Sequence, residues 1–255
     1  KPNVITYSTL IKAYDNMNFP KKVIECYQQM LADGIKLDVI TYSTLIKAYD
    51  NMNLPKKVIE CYQQMLADGI KPNVITYSTL IKAYDNMNLP KKVIECYQQM
   101  LADGIKPNVI TYSTLIKAYD NMNLPKKVME CYQQMLADGI NLDVITYSTL
   151  IKAYDNMEEF VMAENIYLKM DENDMIPLNI INSNTIDIHG MRQCVLNTYL
   201  RLNHKRLINS KIMIICGRGI NSEGDPILKE VLVDFCKENN LKYKIDSQGG
   251  RICIN

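Results

Sequence analysis

Several residue types that often point to a fold or a function are scarce in this chain. Tryptophan is absent, and the 255 residues include three phenylalanines and two histidines. No run of 18 apolar residues occurs, so the sequence predicts no membrane-spanning helix and no membrane partner. Positive and negative charges nearly cancel, at a net charge of +1. This balance excludes a basic field over the whole molecule and limits any nucleic-acid surface to a local patch.

The eight cysteines include no C-x-x-C pair, which argues against a zinc site. Four of them recur at a fixed interval inside apolar runs: Cys26, Cys61, Cys96 and Cys131. The other four are scattered: Cys194, Cys216, Cys236 and Cys253. A cysteine copied along a stack is predicted to pack as a small apolar residue rather than to form a disulfide. We therefore expect free thiols, no metal site among them, and a reducing compartment.

The chain is dominated by one stretch of 35 residues, Lys1 to Ile35, that is repeated almost without change. Further copies begin at Lys36, Lys71, Lys106 and Asn141. Such a period predicts a solenoid, in which each copy is one unit that buries its apolar face against its neighbours. Identity this high indicates recent duplication or consensus design. The position before each copy's first apolar run does vary: Asn3, Asp38, Asn73, Asn108 and Asp143.

Each copy is predicted to form two helices. In the first copy Asn3 can cap a helix from Val4 to Asn16. Its face toward the second helix is formed by Tyr7, Leu10, Ile11 and Tyr14. Asn18 is predicted to cap the second helix, which has Pro20 in its first turn and ends at Gly34. The apolar face of this helix is formed by Val23, Ile24, Tyr27, Met30 and Leu31. The fold predicted for this part is an α-solenoid of helix-turn-helix repeats.

A second stripe of residues remains on the first helix. Ile5, Ser8 and Lys12 lie at i, i+3 and i+7 and therefore share a face. Their copies are Ile40, Ser43, Lys47; Ile75, Ser78, Lys82; Ile110, Ser113, Lys117; and Ile145, Ser148, Lys152. A solvated face would explain the lysines, but not an exposed isoleucine and a serine in every copy. A surface on which lysine meets phosphate and isoleucine lies against a base explains all three.

The 35-residue period, the opening VITYSTLIKAY and the endings GIKPN and GIKLD resemble the pentatricopeptide repeat family. The tetratricopeptide alternative has a period of 34 and a Trp-Leu-Gly signature that this chain lacks. The resemblance covers residues 1 to 178, as five repeats. It implies that the chain binds single-stranded RNA and recognises one base per repeat.

In that family, bases are selected by the polar residue of the first helix together with the residue that closes the unit. We call these two residues the base-selecting pair. The pairs are Ser8 with Asp38, Ser43 with Asn73, Ser78 with Asn108, and Ser113 with Asp143. Asn and Asp cap helices equally well, so capping gives no reason to alternate them. A carboxylate only accepts hydrogen bonds and suits guanine, whereas an amide both donates and accepts and suits adenine.

With the family's parallel polarity, units one to four are predicted to bind 5′-GAAG-3′. In the fifth unit the second half diverges and carries one extra residue. Ser148 therefore pairs with Asn179 or with Leu178, and we favour Asn179, which would select adenine. The RNA partner is accordingly a purine-rich single strand.

After a linker over residues 179–183, the periodicity changes. Residues 184–255 are predicted to form a small α/β domain with the order β-α-β-α-β-β. The predicted elements are Thr185 to Ile188, Met191 to Leu207, Lys211 to Cys216, Pro226 to Asn239, Tyr243 to Ile245, and Arg251 to Ile254. Asp187 and His189 are two residues apart on the first predicted strand, so they are expected to project to the same face. If the first two strands are parallel, as a β-α-β unit demands, both residues lie near the Gly217-Arg218-Gly219 loop at the carboxyl edge of the sheet. Glycines there allow close approach of a phosphate, and Arg218 can donate to it.

The motifs TIDIHGM and CGRG, followed by Gly249-Gly250, resemble the Smr (small MutS-related) domain. Ile186 takes the leucine position of the family's Leu-Asp-x-His-Gly motif, and Cys216 departs from the usual histidine or threonine. The resemblance implies nucleic-acid binding and, in some members, nicking. Asp187 would orient His189 or hold Mg²⁺ or Mn²⁺, His189 would be the general acid or base, and Arg218 would stabilise phosphate charge. The alternative is that Asp187 and His189 only brace a turn.

Three functions remain open at this point. They are an RNA-binding array that positions a nicking domain, a non-catalytic protein that protects or remodels RNA, and a protein–protein scaffold. Five repeats select few bases, so further repeats, a homo-oligomer or an abundant RNA target are alternatives. Arrays joined to this domain form an organellar class, which implies a plastid or mitochondrion. Because the chain begins at Lys1 without methionine, any targeting segment is expected to lie outside it.

Overall fold

The structure is a computed structural model that describes residues 2–216, 225–246 and 250–254. Its backbone divides into two compact units, Lys1–Asn141 and Leu142–Asn255. The first unit contains four repeats, and the second contains the fifth repeat and a sheet. Within the described ranges, every helix is too short or too polar to cross a bilayer.

The four repeats of the first unit are pairs of helices of 13 residues each. Their bounds are α1 Val4–Asn16, α2 Pro20–Ala32, α3 Val39–Asn51, α4 Pro55–Ala67, α5 Val74–Asn86, α6 Pro90–Ala102, α7 Val109–Asn121 and α8 Pro125–Ala137. The predicted first helix is therefore confirmed at both ends. Its cap is confirmed as well, because the Asn3 side chain accepts a hydrogen bond from the Thr6 amide at 2.9 Å.

The turn between the two helices differs from the prediction. Phe19, not Asn18, is the N-cap of α2, and it makes no side-chain capping bond. Asn18 has φ +57° and ends α1: its amide donates to the Asp15 carbonyl, and the Phe19 amide donates to the Tyr14 carbonyl. This is the left-handed helix ending that asparagine tolerates better than most residues. Pro20 begins α2 as predicted.

The first helices form a continuous layer, because α1, α3, α5 and α7 pack on one another in turn. The second helices α2, α4 and α6 each pack on the first helix of their own repeat and of the next one, and α8 packs on α7. Val23 and Met30 are fully buried, whereas Leu31 is 48% exposed, so its predicted place in the core is wrong. Leu10 is 41% exposed but its copy Leu45 is buried, because this position packs against a preceding repeat.

The repeated cysteines lie in this core. Cys26, Cys61 and Cys96 are buried and are not in disulfides, and burial raises the pKa of the Cys61 thiol to about 12. Such thiols stay protonated, which fits the predicted role as small apolar residues.

A tyrosine–carboxylate link that the sequence analysis missed joins the two helices in each of the first four repeats. The Tyr7 hydroxyl donates to Asp33, which also accepts from Gln29 Nε2 at 3.0 Å. The same link joins Tyr42 to Asp68, Tyr77 to Asp103 and Tyr112 to Asp138. The hydrogen bond to Asp33 raises the pKa of Tyr7 to about 12, and the bond from Tyr42 lowers the pKa of Asp68. The link therefore ties α1 to the end of α2.

The second unit begins with the fifth repeat and continues into a five-stranded sheet. Its elements are α9 Val144–Asn156, α10 Phe160–Glu172, β1 Asn179–Asn182, β2 Thr185–Asp187, α11 Gln193–Leu202, α12 His204–Ile208, β3 Ile212–Ile215, α13 Asp225–Glu238, β4 Tyr243–Ile245 and β5 Arg251–Ile254. The strand order is β1-β2-β3-β5-β4. β2 and β3 are parallel, as predicted, and the other neighbours are antiparallel.

Three local predictions in the second unit are corrected. The segment predicted as a linker contains β1, which pairs with β2 in a hairpin. The helix predicted from Met191 to Leu207 is divided at Asn203 into α11 and α12. The observed order is therefore β-β-α-α-β-α-β-β. The isoleucines of β1 are exposed and flanked by asparagines, so no buried alternation marked it as a strand.

Candidate nucleic-acid interface

The isoleucines of the predicted stripe are exposed along the layer of first helices. Ile5 is 70% exposed, and Ile40, Ile75 and Ile110 are each 46% exposed. Large apolar side chains that stay this exposed at every repeat form an apolar surface that is available for binding. Flat apolar contacts of this kind suit the faces of unpaired bases. The lysines of the stripe, such as Lys12 and Lys47, are also exposed, whereas the serines lie beneath the surface.

Ser8 and Asp38, the first predicted base-selecting pair, are brought together. Ser8 Oγ lies 3.1 Å from Asp38 Oδ2 and also hydrogen-bonds the Val4 carbonyl. The other carboxylate oxygen, Oδ1, accepts from the Thr41 amide at 2.8 Å and caps α3. One oxygen of Asp38 is thus committed to the helix cap, and the other faces the serine.

The asparagines at the equivalent positions use their single oxygen for the cap. Asn73 Oδ1 accepts from the Thr76 amide at 3.0 Å, and Asn108 Oδ1 accepts from the Thr111 amide at 3.0 Å. Ser43 and Ser78 donate to carbonyls of their own helices. Because the capping oxygen is the same in both residue types, Asn and Asp differ only at the second atom. That atom is the donor Nδ2 in Asn and the acceptor Oδ2 in Asp.

The remaining two pairs are placed differently. Ser113 is buried in α7 of the first unit, and Asp143 caps α9 of the second unit. In the fifth repeat Ser148 Oγ donates to the Val144 carbonyl at 2.7 Å. Asn179, its predicted partner, is an exposed residue of β1 opposite Asp187. The Ser148 carbonyl is contacted by Cys194 of α11, with 3.3 Å between the sulfur and the oxygen.

The lysines of the stripe form ion pairs with the preceding repeat, which the sequence analysis missed. Lys47 Nζ lies 2.9 Å from Asp15, Lys82 Nζ 2.8 Å from Asp50, and Lys117 Nζ 2.7 Å from Asp85. The lysines are about half exposed, and the carboxylates are mostly buried. These ion pairs could have been predicted from the sequence, because an aspartate lies 32 residues before each of these lysines. Each lysine therefore stabilises the stack as well as presenting charge.

At the carboxyl edge of the parallel strands, the structure places several residues of the predicted catalytic site. Asp187 ends β2 opposite Ile215, the last residue of β3. Cys216 follows β3, and its amide donates to the Gly250 carbonyl at 3.0 Å. The DIHG motif, Cys216 and Gly250 therefore lie at one edge of the sheet. Gly217, Arg218, Gly219 and Gly249 lie outside the described residues.

The relation between Asp187 and His189 differs from the prediction. β2 ends at Asp187, so the two residues do not share a strand face. His189 lies in the following turn and is exposed, and its backbone amide donates to Asp187 Oδ1 at 3.0 Å. The carboxylate thus braces the turn that presents the imidazole. Gly190 in this turn has φ +83°, and α11 begins three residues later, at Gln193.

The second histidine, His204, lines a cavity. His204 begins α12, and its Nε2 lies 2.6 Å from Asn239 Oδ1. Its ring packs edge-on against Phe235. Both residues line a cavity of about 530 Å³ between α11 and α13. Across the described ranges, no group of three or more His, Cys, Asp or Glu side chains is arranged to hold a metal ion.

Comparison with protein families shows what these repeats are. The pentatricopeptide repeat domain model matches residues 25–87, 62–122 and 130–186. A second model, of the single PPR repeat, matches residues 5–35 and 110–140. The chain belongs to the pentatricopeptide repeat (PPR) family. Among curated proteins no sequence matches this PPR chain significantly.

Solved structures agree with the family on the fold. PPR10 in complex with an 18-nt psaJ RNA element is 23% identical, with a TM-score of 0.50, over 69% of this chain and 26% of that chain. The PPR domain of Arabidopsis thaliana protein-only RNase P 1, in complex with tRNA, is 13% identical, with a TM-score of 0.54, over 69% of this chain and 90% of that one. These similarities show a helical repeat solenoid over about 170 residues. The PPR chain described here spans about a quarter of the length of PPR10.

Proposed function

We propose that this PPR protein binds single-stranded RNA sequence-specifically, one base per repeat, with 5′-GAAG-3′ as the preferred sequence of units one to four. The observation that carries the proposal is the chemistry of the unit-closing residues. Asp38, Asn73 and Asn108 cap the next helix with equivalent oxygens, so their alternation changes only the second atom. Membership of the PPR family and the RNA-bound PPR10 structure support it.

The layer of first helices supplies the contacts that such binding needs. Each base would lie against an exposed isoleucine, and removing the apolar surface of both from water would favour binding. Asp38 Oδ2 would accept from the Watson–Crick donors of guanine. Asn73 Nδ2 would donate to adenine, and Ser43 would assist it. The half-exposed lysines would attract the phosphates from their ion pairs with aspartate.

A binding experiment tests this part directly. The protein is titrated with labelled RNAs that contain GAAG and with RNAs in which each G and A is exchanged in turn. We expect GAAG to bind most tightly and each exchange to weaken binding by about 1–3 kcal/mol, the usual cost of one mismatched base contact. Equal affinity for all of these RNAs would contradict base selection, and no affinity for any of them would favour the protein–protein scaffold.

Residues 184–255 are proposed to form an Smr domain that contacts the RNA next to the array. The motifs TIDIHGM and CGRG support this assignment, as does the parallel pairing of β2 with β3, which brings Asp187 and Cys216 to one edge. Nicking of the RNA is the further step of this proposal. His189 would act as the general acid or base, because its imidazole is exposed in the turn that Asp187 braces. General acid–base catalysis is worth about 10²–10⁴-fold.

Nicking is tested with labelled GAAGA RNA in the presence of Mg²⁺ or Mn²⁺. We expect cleavage that His189→Ala reduces by about 10²–10⁴-fold while RNA affinity is unchanged. Asn182→Ala, which changes an exposed polar residue of β1, serves as the matched control and should leave cleavage intact. If the wild type cleaves the RNA no faster than His189→Ala does, the protein is not a nuclease. The alternative is then a non-catalytic protein that protects or remodels RNA.

The cellular location of the protein is also a proposal, and it is based on the family. PPR proteins are typically organellar, so we propose a plastid or a mitochondrion. The buried, unpaired cysteines of the repeats fit a reducing interior. Since four or five bases do not specify a unique transcript, self-association of the chain remains a proposal to be tested by sedimentation with and without RNA.

A further inference from the structure

Helix α11 of the sheet region packs on the fifth repeat in the way that one repeat packs on the next. It contacts both α9 and α10, as α3 contacts both α1 and α2. An ion pair marks the register. Arg201 of α11 lies 2.7 Å from Asp155 of α9, and in the array Lys47 of α3 lies 2.9 Å from Asp15 of α1. The partners are 46 residues apart in the first case and 32 in the second, so α11 is displaced by 14 extra residues of chain.

The start of α11 gives the same register independently. In the array, Asp38 is the N-cap of the next first helix and lies 30 residues after Ser8. With the 14 extra residues, the equivalent position lies 44 residues after Ser148, at Arg192. Arg192 is the N-cap of α11. An ion pair near the end of the helix and a cap at its start therefore agree on the same alignment.

Burial along the two helices follows this alignment. The buried residues of α11 are Val195, Leu196, Thr198, Tyr199 and Leu200. Their counterparts in α3 are Thr41, Tyr42, Thr44, Leu45 and Ile46, and all of these are buried as well. Helix α11 is thus a structural substitute for the first helix of a sixth repeat. The extra chain holds the β1–β2 hairpin, which carries Asn179 into the sheet opposite Asp187.

The position that selects the base in units one to four is consequently occupied by Arg192 in unit five. Its side chain is exposed, and no described residue forms an ion pair or a side-chain hydrogen bond with it. A guanidinium has donors and no acceptor, so it can neither cap a helix as Asp38 does nor accept from the Watson–Crick donors of guanine, the role proposed for Asp38 Oδ2. Its planar donors match the oxygens of a phosphate.

We propose that Arg192, and not Asn179, completes the fifth unit, and that it holds an RNA phosphate there, so that the fifth nucleotide is bound without base selection. This inference rests on the proposed RNA binding. It predicts a recognition sequence of 5′-GAAGN-3′, in which the last nucleotide adds affinity but no specificity.

The test uses the full chain and four RNAs, GAAGA, GAAGG, GAAGC and GAAGU, titrated over a range of salt concentrations. We expect the wild type to bind all four within about twofold. Arg192→Ala should weaken all four equally and reduce the log–log salt slope by about 0.7, the value for one phosphate contact on a single strand. Arg192→Asp should create a serine–aspartate pair and favour GAAGG by about fivefold or more.

Two results would overturn the inference. One is a wild-type preference for GAAGA that Asn179→Asp converts into a preference for GAAGG. The other is a wild-type preference for GAAGG that Arg192→Ala abolishes, because Arg192 would then contact guanine and not phosphate. Asn73→Asp, assayed in parallel on the second nucleotide, separates this inference from the proposed function. If Asn73→Asp changes base preference and Arg192→Asp does not, only the inference on Arg192 fails; if neither variant changes it, base selection itself fails.

Discussion

The repeats of the first unit and the sheet of the second unit obtain their stability in different ways. In the repeats each contact is made between neighbours in sequence and is copied along the chain, as in the Lys47–Asp15, Lys82–Asp50 and Lys117–Asp85 pairs. In the sheet each contact occurs once, and the central pairings join distant segments: β2 pairs with β3 across α11 and α12, and β3 pairs with β5 across the whole of α13 and β4. The stability of a stack of repeats is a sum of the stabilities of single repeats and of their contacts with neighbours. A sheet held by contacts between distant segments is expected to unfold as one cooperative unit.

The largest expected effects come from core substitutions in each region. Ile81→Ala in α5 and Ile214→Ala in β3 both remove a fully buried side chain and should each cost about 3 kcal/mol. We expect Ile81→Ala to lower hydrogen-exchange protection chiefly in its own and adjoining repeats. Ile214→Ala should lower it throughout β2, β3 and β5 together. If both substitutions lowered hydrogen-exchange protection over equally long stretches of the chain, the proposed difference between local and cooperative stability would be wrong.

A smaller effect, in binding, is expected from the unit-closing residues. Asn73→Asp retains the capping oxygen and changes the second atom from a donor to an acceptor, so the preference at the second nucleotide should move from adenine to guanine by about 1–3 kcal/mol. Asn3→Asp is the matched control, since Asn3 caps α1 in the same way and belongs to none of the base-selecting pairs named above. The measurement is the affinity of both variants for GAAG and GGAG. A change of preference in Asn3→Asp as well would show that charge, and not the pair, selects the base.

A still smaller effect should follow from the ion pairs between repeats. Asp50→Asn keeps the shape of the side chain and releases Lys82, which can then meet an RNA phosphate. We expect slightly tighter RNA binding and a salt slope steeper by up to about 0.7, with a loss of stability of less than about 1 kcal/mol because the lysine is half exposed. Asp234→Asn removes the exposed pair with Lys237 in α13 and should leave the slope unchanged. An unchanged slope in Asp50→Asn would mean that Lys82 does not contact RNA.

The smallest effect concerns acid stability and separates the second and fourth repeats from the fifth. The hydrogen bond from Tyr42 lowers the pKa of Asp68, and that from Tyr112 lowers the pKa of Asp138. A lowered folded-state pKa stabilises the fold above the unfolded value of about 4, and this contribution is lost as the pH falls through the folded value. In the fifth repeat Asn173 replaces the aspartate and donates to Tyr147 at 3.4 Å, so that repeat has no such dependence.

Urea unfolding between about pH 2 and 6 checks this expectation. Tyr42→Phe should flatten the pH dependence of the array, and Tyr147→Phe should leave it unchanged. A Tyr42→Phe variant with the same acid sensitivity as the wild type would show that other carboxylates are responsible.

The sequence was most informative where the chain repeats itself. The bounds of the first helix, its asparagine cap, Pro20 at the start of the second helix and the exposed isoleucines all follow from local pattern, and the structure agrees with each. The turn at Asn18 was predicted wrongly because asparagine serves both as a helix cap and as a left-handed helix ending. The Tyr7–Asp33 and Lys47–Asp15 bonds were missed because each joins residues on different helices, which a helical period alone does not relate.

In the sheet region the sequence was less informative. The bounds of β4 and β5 and the parallel pairing of β2 and β3 were predicted, but β1, whose isoleucines are exposed, was not. His189 was expected on a strand with Asp187, and the early end of β2 placed it in a turn instead.

Alone, the sequence determined the repeat, the residue types of the stripe and the alternation of Asn with Asp, because the helical period and side-chain chemistry are local properties. Only the tertiary structure decided that Asp38 and Asn73 use equivalent oxygens for capping, that the lysines are already paired, and that α11 takes the place of a sixth first helix. The physical reason is that register between distant segments depends on packing. A period of 35 would make Leu178 the partner of Ser148. The chain instead carries 14 extra residues, which include the hairpin, and the packing of α11 makes Arg192 the partner.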